Sequence, residues 1–269
     1  MPIFLYQLSP VIGVFIILVF IETVALLGLW VARHFLISRL KYNEGVHEAV
    51  SGTVQAIGVF YGITVGLIAA GVWSTNSNAS ELVSKEAASI GSLYRDVSGY
   101  PSPLRDELRA ELRDYTVFII NEAWPAQKLG RGQTLDRGVR IMDEFQTKLY
   151  AFNPSTSGQS ALHSETLMAY NRLLEYRRLR IDAVGSSLSA IMWAVIWVGA
   201  AISIGVAYFY KIPDWKLHAI LIALMGGFLA MVLFMISIND RPFYGVVSIS
   251  PEPFQMLTDR IQSFATGQK

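Results

Sequence analysis

Two places in this chain combine residue type and spacing in a way that could do chemistry. Glu44 and His47, in Glu44-Gly45-Val46-His47-Glu48, show Glu-x-x-His spacing, which lets a helix offer a carboxylate and an imidazole to one metal ion. A di-iron carboxylate bundle needs two such motifs and two more glutamates. This chain has one, and His34, His163 and His218 occur in no matching context. A polar helix start explains the same residues, so no metal or other cofactor is expected. The second place is Glu22, the one charged residue between Met1 and Ala32. No nucleophile elbow, Walker loop, dinucleotide fingerprint or kinase motif is present. The chain is therefore not expected to be an enzyme. A net charge of +1 argues against a nucleic-acid partner. With no cysteine, disulfides and thiolate metal sites are excluded.

The elements that must hold these residues are apolar. No Asp, Glu, Lys or Arg occurs from Ala49 to Ser80, Ala183 to Tyr210 or Leu217 to Asn239, and Glu22 alone breaks the first stretch. A hydrocarbon core needs roughly 20 apolar helical residues. The sequence thus predicts an all-α integral membrane protein, with spans at Val11–Val31, Val50–Trp73, Val184–Tyr210 and Leu217–Ile238. The first run lacks a basic n-region and is read as retained, not as a signal peptide. Glu22 then has two placements. Within the span it would cost about 2.5–3.5 kcal/mol and face the bundle interior or an aqueous path. With the span shifted to Ile3–Ile21 it would lie at the interface. Four divisions follow: a first helix pair (1–74), a helical extramembrane domain (75–183), a second pair (184–239) and a tail (240–269).

Membrane lipid is the surrounding partner. The Lys/Arg rule orients the bundle weakly. Arg33, Arg39, Lys41, Lys211 and Lys216 flank the short loops, against Lys85, Arg172, Arg177, Arg178, Arg180 and Arg241 on the domain side. The reading places the domain in the cytoplasm and the spans in a bacterial inner membrane.

Four apolar stripes at helical spacing run through the hydrophilic middle. They are Val83, Ala87, Ile90, Tyr94 and Val97; Leu104, Leu108, Leu112, Tyr115 and Ile119; Met142, Phe145, Leu149 and Phe152; and Leu167, Tyr170, Leu174 and Ile181. Breakers separate them at Gly99–Pro103, Gly130-Arg131-Gly132 and Asn153–Gly158. Between Trp73 and Leu82 there is neither Gly nor Pro, though Asn78 and Glu81 could form a capping box. Nothing breaks the run from Leu174 to Val184. The second and third spans are therefore expected to continue out of the membrane as long helices, the alternative being a separate four-helix domain on flexible joints. After the fourth span, Pro242 stops the helix and Gly245 permits a turn. Ser250 and Pro251 suit the N-cap and N1 of a last helix, whose apolar face is Phe254, Leu257, Ile261 and Phe264. So aromatic a tail is expected to dock on the central domain or on a neighbouring subunit.

The second span is the most specialised. Gly58, Gly62 and Gly66 recur every fourth residue and Ala70 extends the row, with Gln55 on the same side. Small residues so spaced let another helix backbone approach closely. The opposite face carries Ala56, Phe60, Ile63 and Leu67. That face suits lipid or core contact, or, around an oligomer axis, a hydrophobic constriction.

Gly58-Val59-Phe60-Tyr61 through Trp73, with Asp240-Arg241-Pro242-Phe243 and Ser250-Pro251-Glu252-Pro253-Phe254, resemble the bestrophin-like family of uncharacterised membrane proteins over nearly the whole chain. A more distant likeness extends to the bestrophins, pentameric anion channels with four spans and a helical cytosolic domain. The resemblance implies a homo-oligomeric channel for inorganic anions, with Phe60 matching one aromatic of the neck. Ala56 stands where a second neck aromatic would, and Tyr244-Gly245-Val246-Val247-Ser248 replaces the acidic calcium-binding run, so calcium gating is not implied. The rival reading is a non-conducting membrane scaffold or sensor whose helical domain binds a protein partner.

Overall fold

In the computed structural model, residues 6–36, 44–130, 136–210 and 212–266 are described, and all regular structure among them is helical. Arg39, Lys41 and Lys211 of the charge count, Arg131 and Gly132 of one breaker, and the side chains of Glu44 and Phe264 lie outside that description. Four helical segments are long and apolar enough to cross a bilayer. They are α1 (Pro10–Val31) with a π-turn after it, α2 (Glu44–Asp96), α7 (Ala190–Ala207) and α8 (Trp215–Asn239). Between α2 and α7 come α3 (Leu104–Phe118), α4 (Trp124–Lys128), α5 (Asp136–Tyr150) and α6 (Ser157–Val184), and α9 (Glu252–Thr266) closes the chain. The chain divides into two compact units. One holds Met1–Thr75 and Ser187–Asp240, the other Asn76–Ser186 and Arg241–Lys269, so α2 contributes to both.

Three local expectations change. Ser9 caps α1 through its Oγ and Pro10 opens the first turn, where a proline's missing N–H costs nothing. α1 therefore starts at Pro10, and Glu22 lies in mid-helix; Ile3 to Leu5 of the shifted span lie outside the described residues. Asn78 and Glu81 form no cap, because α2 runs through them unbroken and Glu81 instead pairs with Lys85 at 2.7 Å. The third span does not continue its predecessor. α6 ends at Val184 with Gly185 as its C-cap, and α7 restarts only after Ser189, whose side chain caps Met192 N–H. A glycine that cannot favour the helix, followed by three serines around Leu188, supplies a stop and a new start.

The membrane unit has a core of Ile17 and Ile21 from α1, Val65, Ala69 and Val72 from α2, Ile196 from α7, and Ala230, Leu233 and Ile236 from α8. Lipid gives no hydrophobic drive between helices, so close packing and polar contacts must hold them. One device occurs twice. Tyr61 on α2 donates its hydroxyl to Ile196 O at 2.9 Å while its ring lies against Gly199. Tyr208, just past α7, donates to Ala25 O at 2.8 Å with its ring against Gly28. Each hydroxyl takes the spare lone pair of a helical carbonyl, and the glycine three residues further on leaves room for the ring. A methyl at either glycine would collide with that ring. At the far end of α1, Arg33 donates to Ile212 O (2.9 Å) and Pro213 O (3.2 Å) and lies over the Trp215 ring. That fastens the turn before α8.

The second unit is a conventional helical core. All five residues of the first predicted stripe, Val83 through Val97, are buried, as are Leu108, Leu112, Tyr115 and Ile119 of the second and Met142, Phe145 and Leu149 of the third. Of the fourth stripe only Tyr170 is fully buried, with Leu167 and Leu174 packed at the margin and Ile181 half-buried; the deepest leucine of that helix is Leu173, outside the stripe. Pro125 cannot donate to the preceding turn, and the helix meets it with a π-turn at Ile119–Ala123 before α4. Burial raises the Tyr170 hydroxyl to about 12.

Candidate functional site

Site residues proposed from sequence fall in three groups: the faces of α2, Glu22, and the tail motif. On α2 the side turned into the protein is neither of the two expected to matter. Tyr61, Val65, Ala69 and Val72 face the core. Phe60 is 72% exposed and Leu67 70%, and Ile63 and Ala56 are exposed as well. Gly58, Gly62 and Gly66 have nothing within 4 Å of where a Cβ would stand, and Gln55 and Ala70 are also exposed. Within one chain, therefore, both the bulky apolar face and the small-residue row are unoccupied. No charged residue lies on α2 from Ala49 to Ser80, so neither face repels an apolar neighbour.

Glu22 points from α1 to the glycine pair of α8. Its carboxylate oxygens lie 3.4 Å from where a Cβ on Gly226 would be, and Oε1 lies 3.2 Å from the same point on Gly227. Oε2 is buried and makes no hydrogen bond to the described residues. The two glycines provide the space the carboxylate fills. Further out, His47 stacks edge-on against Tyr210 at 5.9 Å. Among the described residues no three His, Cys, Asp or Glu side chains gather as a metal site.

The tail motif divides in function at its first residue. Asp240, at the end of α8, accepts Leu188 N–H at 2.5 Å on Oδ1, with Trp193 Nε1–H and the Tyr6 hydroxyl each 3.3 Å from Oδ2. It ties the end of the fourth span to the start of the third and to the segment before the first. A carboxylate beside the N-terminus of α7 also complements the helix dipole. The remaining residues belong to the second unit. Pro242 O accepts Ile249 N–H at 2.8 Å, and Gly245, at φ 83°, takes a left-handed turn that its lack of a side chain permits. Ser250 Oγ accepts from Glu252 N–H and Pro251 O from Phe254 N–H, which starts α9. Arg241 lies over the Tyr244 ring. Phe243 and Phe254 each meet the Trp124 ring edge-on at 5.7 Å, and Trp124 Nε1 donates to Ile249 O at 3.0 Å. The tail thus docks on the helical domain of its own chain.

Sequence reasoning missed the centre of that domain. Glu86 on α2 is fully buried, and Arg180 on α6 is 2% exposed. The two form an ion pair, and Tyr115 donates its hydroxyl to Glu86 at 2.8 Å. The Arg180 guanidinium also sits 5.7 Å from the Trp124 ring, where the π face attracts a cation. Burial would push Arg180 down, but Glu86 and Tyr115 hold it above its ordinary value. Burial first, and then the Glu86 charge, raises the Tyr115 hydroxyl. A charge on an apolar stripe was the available signal, since Glu86 lies between Val83 and Ile90. Nothing in the run Arg177-Arg178-Leu179-Arg180 marked Arg180 as the buried member.

Fold and site together define a four-span helical membrane protein whose second span continues into a helical domain and whose tail folds back onto that domain. Solved structures share this arrangement. A bestrophin homologue from Klebsiella pneumoniae, carrying a single substitution, matches with a TM-score of 0.67 at 9% identity, covering 95% of this chain and 99% of that one. A second variant of the same homologue matches equally well, and a structure described as a membrane protein gives a TM-score of 0.65 over the same shares, also at 9% identity. At that identity the likeness shows the fold. No curated protein sequence matches the chain. The Bestrophin-like domain profile matches residues 19–254, and the chain belongs to the bestrophin-like family.

Proposed function

We propose that this protein is the subunit of a homo-oligomeric ion channel in which α2 of each copy lines a central axis and inorganic anions pass. The observation that supports the reading is the pair of unoccupied faces on α2. The Gly58, Gly62 and Gly66 row has room for the backbone of a neighbouring copy. On a face centred about 130° around the helix, Ala56, Phe60, Ile63 and Leu67 project an uncharged apolar wall. Several copies packed through the first face would turn the second towards a common axis, where a ring of phenylalanines makes a constriction that gates by dewetting. Membership of the bestrophin-like family and the fold shared with the Klebsiella bestrophin homologue support the same reading. The uncharged wall favours passive conduction over a coupled transport cycle.

The test is to reconstitute purified protein in planar bilayers and determine its stoichiometry by electron cryo-microscopy. A symmetric ring that carries anion current is expected. A monomer, a sealed dimer or a silent ring would overturn the reading and favour a scaffold. Two variants separate the faces. Gly62→Leu should break the ring into smaller species, whereas Phe60→Ala should keep the ring and raise leak current several-fold.

In the proposed orientation the helical domain is cytoplasmic in a bacterial inner membrane. The cysteine-free sequence makes the test direct. Ser92→Cys should react with an impermeant maleimide only after the cells are opened, and labelling in intact cells would reverse the orientation.

A further inference from the structure

The helical domain contains a groove that the channel reading does not use. It lies between the far half of α2 and the tail helix α9, with a volume of about 420 Å³, within the usual range for small-molecule sites. Its floor is apolar: Ala88 and Gly91 from α2 face Met256 and Leu257 from α9. Gly91 helps form the gap, since a Cβ there would stand 3.1 Å from the Leu257 side chain. Two cations, Arg95 and Arg260, border the groove, and no acidic side chain lines it. Neither arginine forms an ion pair among the described residues. Arg95 donates to Ser92 Oγ at 3.4 Å on its own helix, and its charge also acts on the neighbouring Asp96, which does not line the groove.

We propose that this groove binds a free single-chain amphiphilic anion, of the fatty-acid class. The chemistry is complementary at both ends. A hydrocarbon chain would cover the exposed apolar floor, while a carboxylate remained in water between two guanidinium groups, whose planar forks match its geometry. A soluble anion is favoured over a bilayer lipid because Arg95 stands about 22 Å of helical rise beyond Ser80, where the uncharged stretch of α2 ends. The inference is independent of conduction and of oligomer size.

The test uses the full chain in nanodiscs of zwitterionic lipid, with hydrogen–deuterium exchange as the local readout and empty nanodiscs as the control for partitioning. Dodecanoate should slow exchange in residues 84–95 and 253–261. Dodecanol, with the same chain and no charge, should need at least a tenfold higher concentration. The double variant Arg95→Gln/Arg260→Gln alters exposed side chains, and it should make dodecanoate behave like dodecanol. Ala88→Phe should fill the floor and weaken both ligands, with Ala88→Ser as a folding control. Equal response to the two probes, or no effect of the arginine changes, would overturn the proposal. So would a groove already protected by a second copy, or one protected by phosphatidylglycerol nanodiscs without added dodecanoate.

Discussion

The two halves of α2 solve opposite problems with one backbone. From Val83 to Val97 its apolar stripe is buried against its own chain, around an ion pair that water does not reach. From Ala56 to Ala70 only the side carrying Tyr61, Val65 and Ala69 packs inward, and two other faces are left bare. The difference follows from solvent. In water an exposed apolar stripe would be costly, so the domain half finishes its packing within the chain. Lipid tails are as apolar as leucine, so the membrane half can leave faces open without cost to the single chain.

That contrast can be broken most forcefully in the domain. Arg180→Leu leaves Glu86 charged, buried and unpaired, and should destabilise the second unit by about 3–5 kcal/mol, read as a lower midpoint in denaturant or heat. Replacing both partners, as Glu86→Leu/Arg180→Leu, should recover most of the loss. If the double change costs as much as the single one, the pair is not the core of this region. A smaller effect is expected where α2 packs inward in the membrane. Gly199→Ala drives a methyl into the Tyr61 ring and should cost about 1–3 kcal/mol. Tyr61→Phe keeps the ring and loses only the bond to Ile196 O, so about 0.6 kcal/mol is expected from membrane hydrogen bonds of this type. Smallest of all should be the effect of Gly62→Leu or Phe60→Ala on the midpoint of the dissociated single chain, where no shift is expected. A clear loss of single-chain stability from either would mean that the outward faces of α2 are internal contacts after all.

Much of this was legible before the structure. The four spans followed from charge-free length, and the domain helices from stripes whose deepest members are the residues now buried. Phe243 and Phe254 were recognisable as anchors because a solvated tail does not need them. What failed was local punctuation. Gly185 was absorbed into an apolar run, although the serines after it carried the capping signal that restarts α7. Asn78 looked like a cap because its neighbours are polar, yet helical packing on both sides kept α2 intact. The position of Glu22 within its helix was open because it depends on where α1 starts, and Ser9 and Pro10 fix that start. The partners of Glu86 and Asp240 were not readable, since a single sequence does not say which distant arginine or amide will meet a given carboxylate.

Tyr61 has a consequence beyond the stability it lends. A membrane helix in a uniform apolar solvent can spin about its own axis at little cost, and its azimuth must be set by something directional. Phe60, Tyr61 and Gly62 are consecutive, so their side chains leave α2 at intervals of about 100°. By keying one of them into a carbonyl and a glycine notch on α7, in line with the inward-packed Val65, Ala69 and Val72, the chain sets the heading of the other two. The bare glycine and the bare phenylalanine are aimed by the residue between them, much as a compass rose is fixed once a single bearing is known.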